Sequence, residues 1–320
     1  MVKDRRPDLS TRVGSVSLKS PILTASGTAG HGAELGAFVD LASLGAVVVK
    51  SLASYAWDGN PPVRVHQTPS GMINSVGLQG SGVRHWIDSE LPQLEESGAT
   101  VVASIWGRSV RDYADAAELL AAASPAVVAV EVNISCPNTE AGNELFAHSV
   151  EMTEEVLRVT EGSGRPRWAK LSPNVGPGLP DIAAAAQAGG AEAVTLVNTF
   201  FGLSIDPVTR RPRLGASGIG ASAGPGTGGG VSGPAIHPLA VRAVHLVHQA
   251  LPDLPIVAAG GVATVEDVVE FALVGASAVE VGTASFADPS TCGRLTTDLG
   301  SWCAKQDVRR FTDLVGSALI

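Results

Sequence analysis

Short runs rich in Val, Ile and Ala return eight times along the chain, and each is followed by a stretch whose apolar residues recur at helical spacing. This alternation limits the fold to a small set of parallel-sheet architectures. The runs cover residues 22–26, 46–51, 100–105, 127–134, 168–172, 193–198, 255–259 and 278–282. They are continuously apolar, as strands buried on both faces must be. The helical stretches cover 33–44, 83–96, 110–123, 150–160, 181–188, 238–250, 265–274 and 289–303. Ser109 before Val110-Arg111-Asp112 and Thr264 before Val265-Glu266-Asp267 have the make-up of N-caps with an acid in the first turn. Gly45, Gly98, Gly189 and Gly275 stand where left-handed C-caps are expected. Eight βα units in succession predict a (β/α)8 TIM barrel; a doubly wound sheet gives the same alternation and stays open at this level.

Two connections are too long to be simple turns. Residues 52–81 follow the second strand and residues 199–232 follow the sixth, the latter rich in Gly, Ser and Pro. Long βα loops belong over the active-site end of a barrel, as walls or lids. No linker interrupts the pattern, so residues 1–320 are expected to form a single barrel domain. A formal charge of -9 argues against nucleic-acid and anionic-membrane partners, which call for a basic footprint. No apolar run reaches the roughly 18 residues of a membrane span, and the charged start has no signal-peptide core. A soluble, cytoplasmic protein is expected. The three cysteines, Cys136, Cys292 and Cys303, form no CxxC, so neither a structural zinc nor an iron–sulfur cluster is expected in this chain.

Polar residues collect where strands end. Asn133-Ile134-Ser135-Cys136-Pro137-Asn138 puts a thiol and two carboxamides directly after an apolar run. Lys50 and Lys170, two of only five lysines, close the second and fifth strands, and Asn198 closes the sixth. A single lysine at a rim is commonly a snorkelling side chain. Two lysines, a cysteine and three asparagines converging on one mouth suit a planar, anionic, amide-bearing ligand instead. Gly260-Gly261 and Gly282-Thr283 end the seventh and eighth strands, where this barrel commonly binds phosphate; Ser232-Gly233 adds to them. A tight turn explains either glycine site alone; pairs in both of those strands favour phosphate. His245 and His248 lie three apart on a helix and read as a solvated face, so no metal is expected; Cys292 and Cys303 read as small buried hydrophobes.

The motifs, taken in order, resemble those of the class 1 dihydroorotate dehydrogenases. They are Ala25-Ser26-Gly27-Thr28, Gly59-Asn60-Pro61-Pro62, Gly71-Met72-Ile73-Asn74-Ser75-Val76-Gly77-Leu78-Gln79, Asn133 to Asn138, and Lys170-Leu171-Ser172-Pro173-Asn174-Val175. Asn198-Thr199, Gly230 to Ile236, Gly260-Gly261 and Gly282-Thr283 complete the set. The resemblance is nearest to subclass 1B. It implies FMN as cofactor, dihydroorotate as substrate, and a separate electron-transfer subunit with FAD and [2Fe-2S] that passes electrons to NAD. A homodimer or a heterotetramer with that subunit is implied as well. By resemblance, Cys136 is the base that takes the C5 proton while hydride leaves C6 for flavin N5, with Lys50 and Lys170 assisting. Lys50, Asn74, Ser75, Val76, Gly77, Leu78, Asn133, Asn198 and Thr199 would hold the substrate. Ser26, Lys50, Ser51, Ser104, Asn133, Lys170, Val197 and Gly233 would contact the flavin, and Gly260, Gly261, Gly282 and Thr283 its phosphate. Departures lie at Ser104-Ile105-Trp106, which shortens a flavin contact and adds a bulky ring, in the loop 139–147, and in a Gly/Ala/Ser-rich stretch at 215–226.

Other classes fit less well. A dihydropyrimidine dehydrogenase subunit shares the barrel and the cysteine, but its ligand has no carboxylate and its motif ends in His where Asn138 stands. A tRNA dihydrouridine synthase would need to hold a polyanion with a chain of charge -9. A non-catalytic flavin-binding paralogue has no need of Lys50, Cys136, Lys170 and Asn198 together. The membrane-bound class 2 enzymes use a serine base, where this chain has Cys136.

Overall fold

The computed structural model describes residues 6–135, 137–138, 144–214 and 228–319. Eight parallel strands form its centre: Ile22–Thr24, Val47–Val48, Val101–Ile105, Val127–Asn133, Arg167–Lys170, Ala193–Leu196, Ile256–Ala259 and Ala276–Val281. In space they run in chain order around a ring, with the eighth beside the first. A parallel bridge from Leu23 to Ala46 and the bond from Thr24 N to Ala46 O join first to second, so the sheet closes on itself. The fold is a (β/α)8 TIM barrel, and the doubly wound alternative falls away because an open sheet would leave two free edges.

Side chains alternate along each strand, and the two series meet different surroundings. Val47, Val49, Val101, Ala103, Val130, Val132, Ala169, Val279 and Val281 pack outward in the large core beneath the helices. Ala46, Val48, Val102, Ala129, Trp168 and Ala278 form a second cluster with Leu23, Ala193 and Val257, inside the barrel. The N-terminal hairpin Thr11–Val13 and Val16–Leu18 joins this inner cluster through Val13, Val16 and Leu18, all nearly inaccessible. It plugs the barrel floor, a role its six residues do not advertise in sequence.

The helices match the periodic stretches where local signals agree. Ser109 and Thr264 each form a reciprocal capping box, with Asp112 and Asp267, at the starts of Val110–Leu120 and Val265–Leu273. The expected helix 33–44 is instead two 3-10 turns, Glu34–Ala37 and Leu41–Ser43. Gly36 weakens the run, and the Asp40 side chain accepts from Ala42 N and so starts a new turn. The expected helix 83–96 is broken at Glu90 into Val83–Ser89 and Leu91–Glu96, because Pro92 belongs in a first turn. Gly98 and Gly275 adopt positive φ as left-handed caps do; at Gly189 φ is −73°, and Gly190 takes the left-handed turn.

The two long connections build one structure. Val65–Thr68 and Gly71–Asn74 from the first, and Phe200–Gly202 and Gly229–Ser232 from the second, form a four-stranded antiparallel sheet. Gly230 is required at its centre: a Cβ there would lie 2.1 Å from Thr199 Oγ1. Removing the plug's packing should be costly. Leu18→Ala is expected to lower stability by about 2–5 kcal/mol in urea unfolding, as for a buried leucine. Leu319→Ala, at a fully exposed position, should stay within about 0.5 kcal/mol of the parent.

Candidate active site

Following each inward series toward the C-terminal ends of the strands, the side chains turn polar. Ala46 and Val48 lead to Lys50, Val102 to Ser104, Ala129 to Glu131 and Asn133, Trp168 to Lys170, and Ala278 to Glu280 and Gly282. Lys50, Asn133, Lys170, Glu280 and Gly282 reach one cavity at this end, roofed by the antiparallel sheet through Val65, Met72, Asn74 and Ser232. Of the residues expected to contact flavin, Ser26, Lys50, Ser51, Asn133, Lys170, Val197, Gly233, Gly260, Gly261, Gly282 and Thr283 line it. So do Asn74, Val76, Gly77, Leu78, Asn198 and Thr199 from the expected substrate set. Cys136 lies outside the described residues, as do 139–143 and 215–227.

Two expected contacts stand back from the cavity. Ser104 is fully buried behind it, its Oγ 2.9 Å from Ser51 Oγ and donating to Glu131 Oε1 at 3.1 Å. Its shorter side chain connects inner polar groups rather than reaching the lining. Ser75 is also buried; its N donates to Arg64 O, and its O accepts from Asn60 Nδ2 at 2.9 Å. Its role there is to fix the loop. Trp106 does not enter the cavity either. It packs edge-on against Tyr55 and Trp57 near Leu78, and Trp57 Nε1 donates to Gly77 O at 3.0 Å. The aromatic group thus braces the segment Asn74–Leu78 from behind.

The carboxamides are oriented before any ligand arrives. Asn133 Nδ2 donates to Ser51 Oγ at 3.2 Å, and Ser51 Oγ lies 3.1 Å from Ser26 Oγ. Asn198 Nδ2 donates to Asn133 Oδ1 at 3.3 Å, while Asn198 Oδ1 accepts from Thr199 N at 2.8 Å. At the opposite end the wall is bare backbone. A Cβ on Gly261 (φ +73°) would lie 2.8 Å from Gly233 O, so the two turns meet without side chains between them. Thr283 Oγ1 donates to Ser232 Oγ at 2.7 Å beside them. Backbone and hydroxyls of this kind suit a phosphate.

Sequence reasoning missed the acids. Glu131 and Glu280 are buried to 0 % and 1 % exposure and flank Lys170, whose Nζ is 3.5 Å from Glu131 Oε1 and 2.7 Å from Glu280 Oε2. The signal was an acid inside an apolar strand, Val130-Glu131-Val132 and Val279-Glu280-Val281. Burial opposes the Lys170 charge, but the two carboxyls outweigh it and hold its pKa above the ordinary lysine range. Burial, and next the neighbouring Glu131, push the Glu280 carboxyl well above its usual range. His31 is half-buried, and burial followed by the Lys50 charge lowers its pKa. Cys292 and Cys303 are buried, and burial raises the Cys292 thiol to about 11, which leaves it inert as a base.

With this geometry in place, comparison with known proteins is decisive. The family model described as dihydroorotate dehydrogenase matches residues 8–302. The chain belongs to the dihydroorotate dehydrogenase family. It is 44% identical over 96% of its length to a protein of Desulforudis audaxviator named dihydroorotate dehydrogenase B (NAD(+)), catalytic subunit, and covers 96% of that protein. A protein of Alkaliphilus metalliredigens with the same name is 41% identical over 97% of this chain and 98% of its own. A Solibacter usitatus protein provisionally named dihydroorotate dehydrogenase A (fumarate) is 42% identical over 97% of this chain and 98% of its own. The subclass 1B resemblance agrees with the B-type names, and the chain is an oxidoreductase of this family. Among the described residues no helix is long and apolar enough to cross a membrane.

The buried cluster generates a stability prediction. Lys170→Met removes the one positive charge between two carboxyls and should cost about 3–5 kcal/mol at pH 8. Glu280 has a raised folded pKa, so the folded state binds more protons than the unfolded state above the ordinary carboxylate pKa, and stability falls as pH rises. Without Lys170 that fall steepens. Urea unfolding at pH 5 and pH 8 should therefore show the variant closer to the parent at pH 5.

Proposed function

We propose that the chain is the FMN-dependent catalytic subunit that oxidises (S)-dihydroorotate to orotate in pyrimidine biosynthesis. The observation that carries this reading is the convergence, in one barrel mouth, of Lys170, Lys50, the pinned amides of Asn133 and Asn198, and the bare glycine turns. The donor set fits a flavin mononucleotide: backbone of Gly261, Gly282 and Thr283 at the phosphate end, and hydroxyl, amide and ammonium groups from Ser51, Asn133 and Lys170 at the ring end. When bound, the flavin supplies the two-electron acceptor for the hydride from C6.

The chain's own residues do the remaining work. Lys50, Asn74, Asn133, Asn198 and Thr199 bind the substrate carboxylate and ring amides, and the braced segment Asn74–Leu78 keeps water out. Cys136 takes the C5 proton; a free thiol has a pKa of about 8.5, close enough to neutrality to serve as a base. This assignment rests on its position three residues after the cavity-lining Asn133 and on the family motif. Lys170 orients the ring edge and answers the negative charge that reduction brings to it. The names of the B-type relatives, with NAD(+) and catalytic subunit in them, favour a partner subunit and NAD as acceptor; the subclass 1B resemblance gives that partner FAD and [2Fe-2S]. The assembly would be a heterotetramer with that partner, or a homodimer of this chain alone.

Two experiments test the reading. Anaerobic dihydroorotate should bleach the flavin band of the purified protein and yield orotate, while dihydrouracil should not; a flavin that stays oxidised with dihydroorotate contradicts it. Cys136→Ala should keep flavin and orotate binding but lower turnover by roughly 10²–10⁴-fold, the usual contribution of a general base. An unchanged rate would remove Cys136 from the mechanism.

A further inference from the structure

Glu131 and Glu280 come from the fourth and eighth strands and meet across the barrel interior, with Lys170 between them and the cavity beyond. Glu280 Oε2 takes the 2.7 Å bond from Lys170, and Glu131 Oε1 takes Ser104 and the more distant Lys170. The second oxygen of each carboxyl, Glu131 Oε2 and Glu280 Oε1, is buried with no donor among the described residues. Both carboxyls reach the same Lys170 Nζ, which gathers them into one buried cluster. Two ionised carboxylates hold only acceptors, so neither can satisfy the other's orphaned oxygen unless one of them carries a proton. With both acids ionised the triad would carry a net charge of -1 in a dry interior, with like charges adjacent, an arrangement that buried sites avoid by retaining a proton. The strands on either side of the eighth, Ile22–Thr24 and Ile256–Ala259, bring no ionisable side chain. Lys170 and Glu131 are the charged groups that face Glu280.

We propose that Glu280 is a positioning residue that holds one proton between itself and Glu131, so that the triad with Lys170 carries no net charge where it faces the flavin ring. The proton itself is inferred from the burial of the two carboxyls, their shared lysine and their orphaned oxygens; its effect on the flavin rests on the function proposed above. With the proton in place, the Lys170 charge is balanced by one carboxylate. Without it, two carboxylates outweigh the lysine and oppose the negative charge that reduction brings to the ring.

Glu280→Gln mimics the protonated acid: its amide oxygen accepts from Lys170 and its NH2 donates to Glu131. Infrared spectra at neutral pH should show a buried carboxylic-acid C=O band in the parent, with or without flavin, that is missing from Glu280→Gln. Glu131→Gln should also lose the band, since Glu280 then ionises against Lys170; this second variant serves if the first folds poorly. In the flavin-loaded protein, Glu280→Gln should leave the flavin midpoint potential at pH 7 unchanged. As pH rises and the pair loses its proton, the parent's potential should fall more steeply than the variant's. Absence of the acid band in the parent overturns the proposal. So does a Glu280→Gln potential clearly above the parent at pH 7, the sign of a removed full negative charge. A chain that held no flavin would contradict the proposed cofactor, while the infrared band would still decide the proton.

Discussion

A closed ring of eight parallel strands leaves its inward side chains only two neighbourhoods, the floor and the mouth, and the period of two along each strand assigns every residue to one of them. In this chain the floor is apolar, with Val48, Val102, Ala129, Trp168 and Ala278 sealed by the Val13–Val16–Leu18 plug. Two residues further along the same strands stand Lys50, Ser104, Glu131, Lys170 and Glu280. The site is therefore the upper layer of the core, built on strands that cannot shift register without driving charges into the helical shell. Rigid placement of this kind is what lets a few polar groups orient a planar ligand.

A continuous polar path results from that layering. It runs from Glu280 through Lys170, Glu131, Ser104 and Ser51 to Asn133 and Asn198, linking strands on opposite sides of the barrel. Such a network is stabilising only if each member is satisfied, because an unpaired buried group costs more than an apolar one in its place. The second path is outside the barrel. Trp57, Trp106, Asn60 and the antiparallel sheet hold the segment Asn74–Leu78 against the mouth. One path fixes what faces the ring, and the other fixes what covers it.

Much of this was legible in the sequence where local and tertiary preferences coincide. All eight strands lie where the apolar runs fall, and the Ser109 and Thr264 caps are visible as spacing alone. Lys50, Lys170, Asn133 and Asn198 stand out because lysine and asparagine at strand ends have no packing role. What was not legible depends on partners distant in the chain. Residues 72–74 pair with 230–232, and no local pattern announces a strand whose neighbour lies more than 150 residues away. Ser104 was expected at the flavin through the family resemblance alone; its actual partners, Ser51 and Glu131, come from two other strands. Glu131 and Glu280 were overlooked because the runs were read as continuous, whereas alternation turns their side chains inward to Lys170.

The central claim is that the inward polar layer, with Lys170 at its centre, faces a flavin while the Asn74–Leu78 segment covers the substrate. A crystal structure of the flavin-loaded protein with orotate tests it most directly. The account predicts Lys170 Nζ within hydrogen-bond distance of the flavin's pyrimidine edge, the phosphate against Gly261 and Gly282, and the orotate carboxylate between Lys50 and the Asn74–Leu78 backbone. A flavin ring turned away from Lys170, or orotate bound outside that segment, would contradict it.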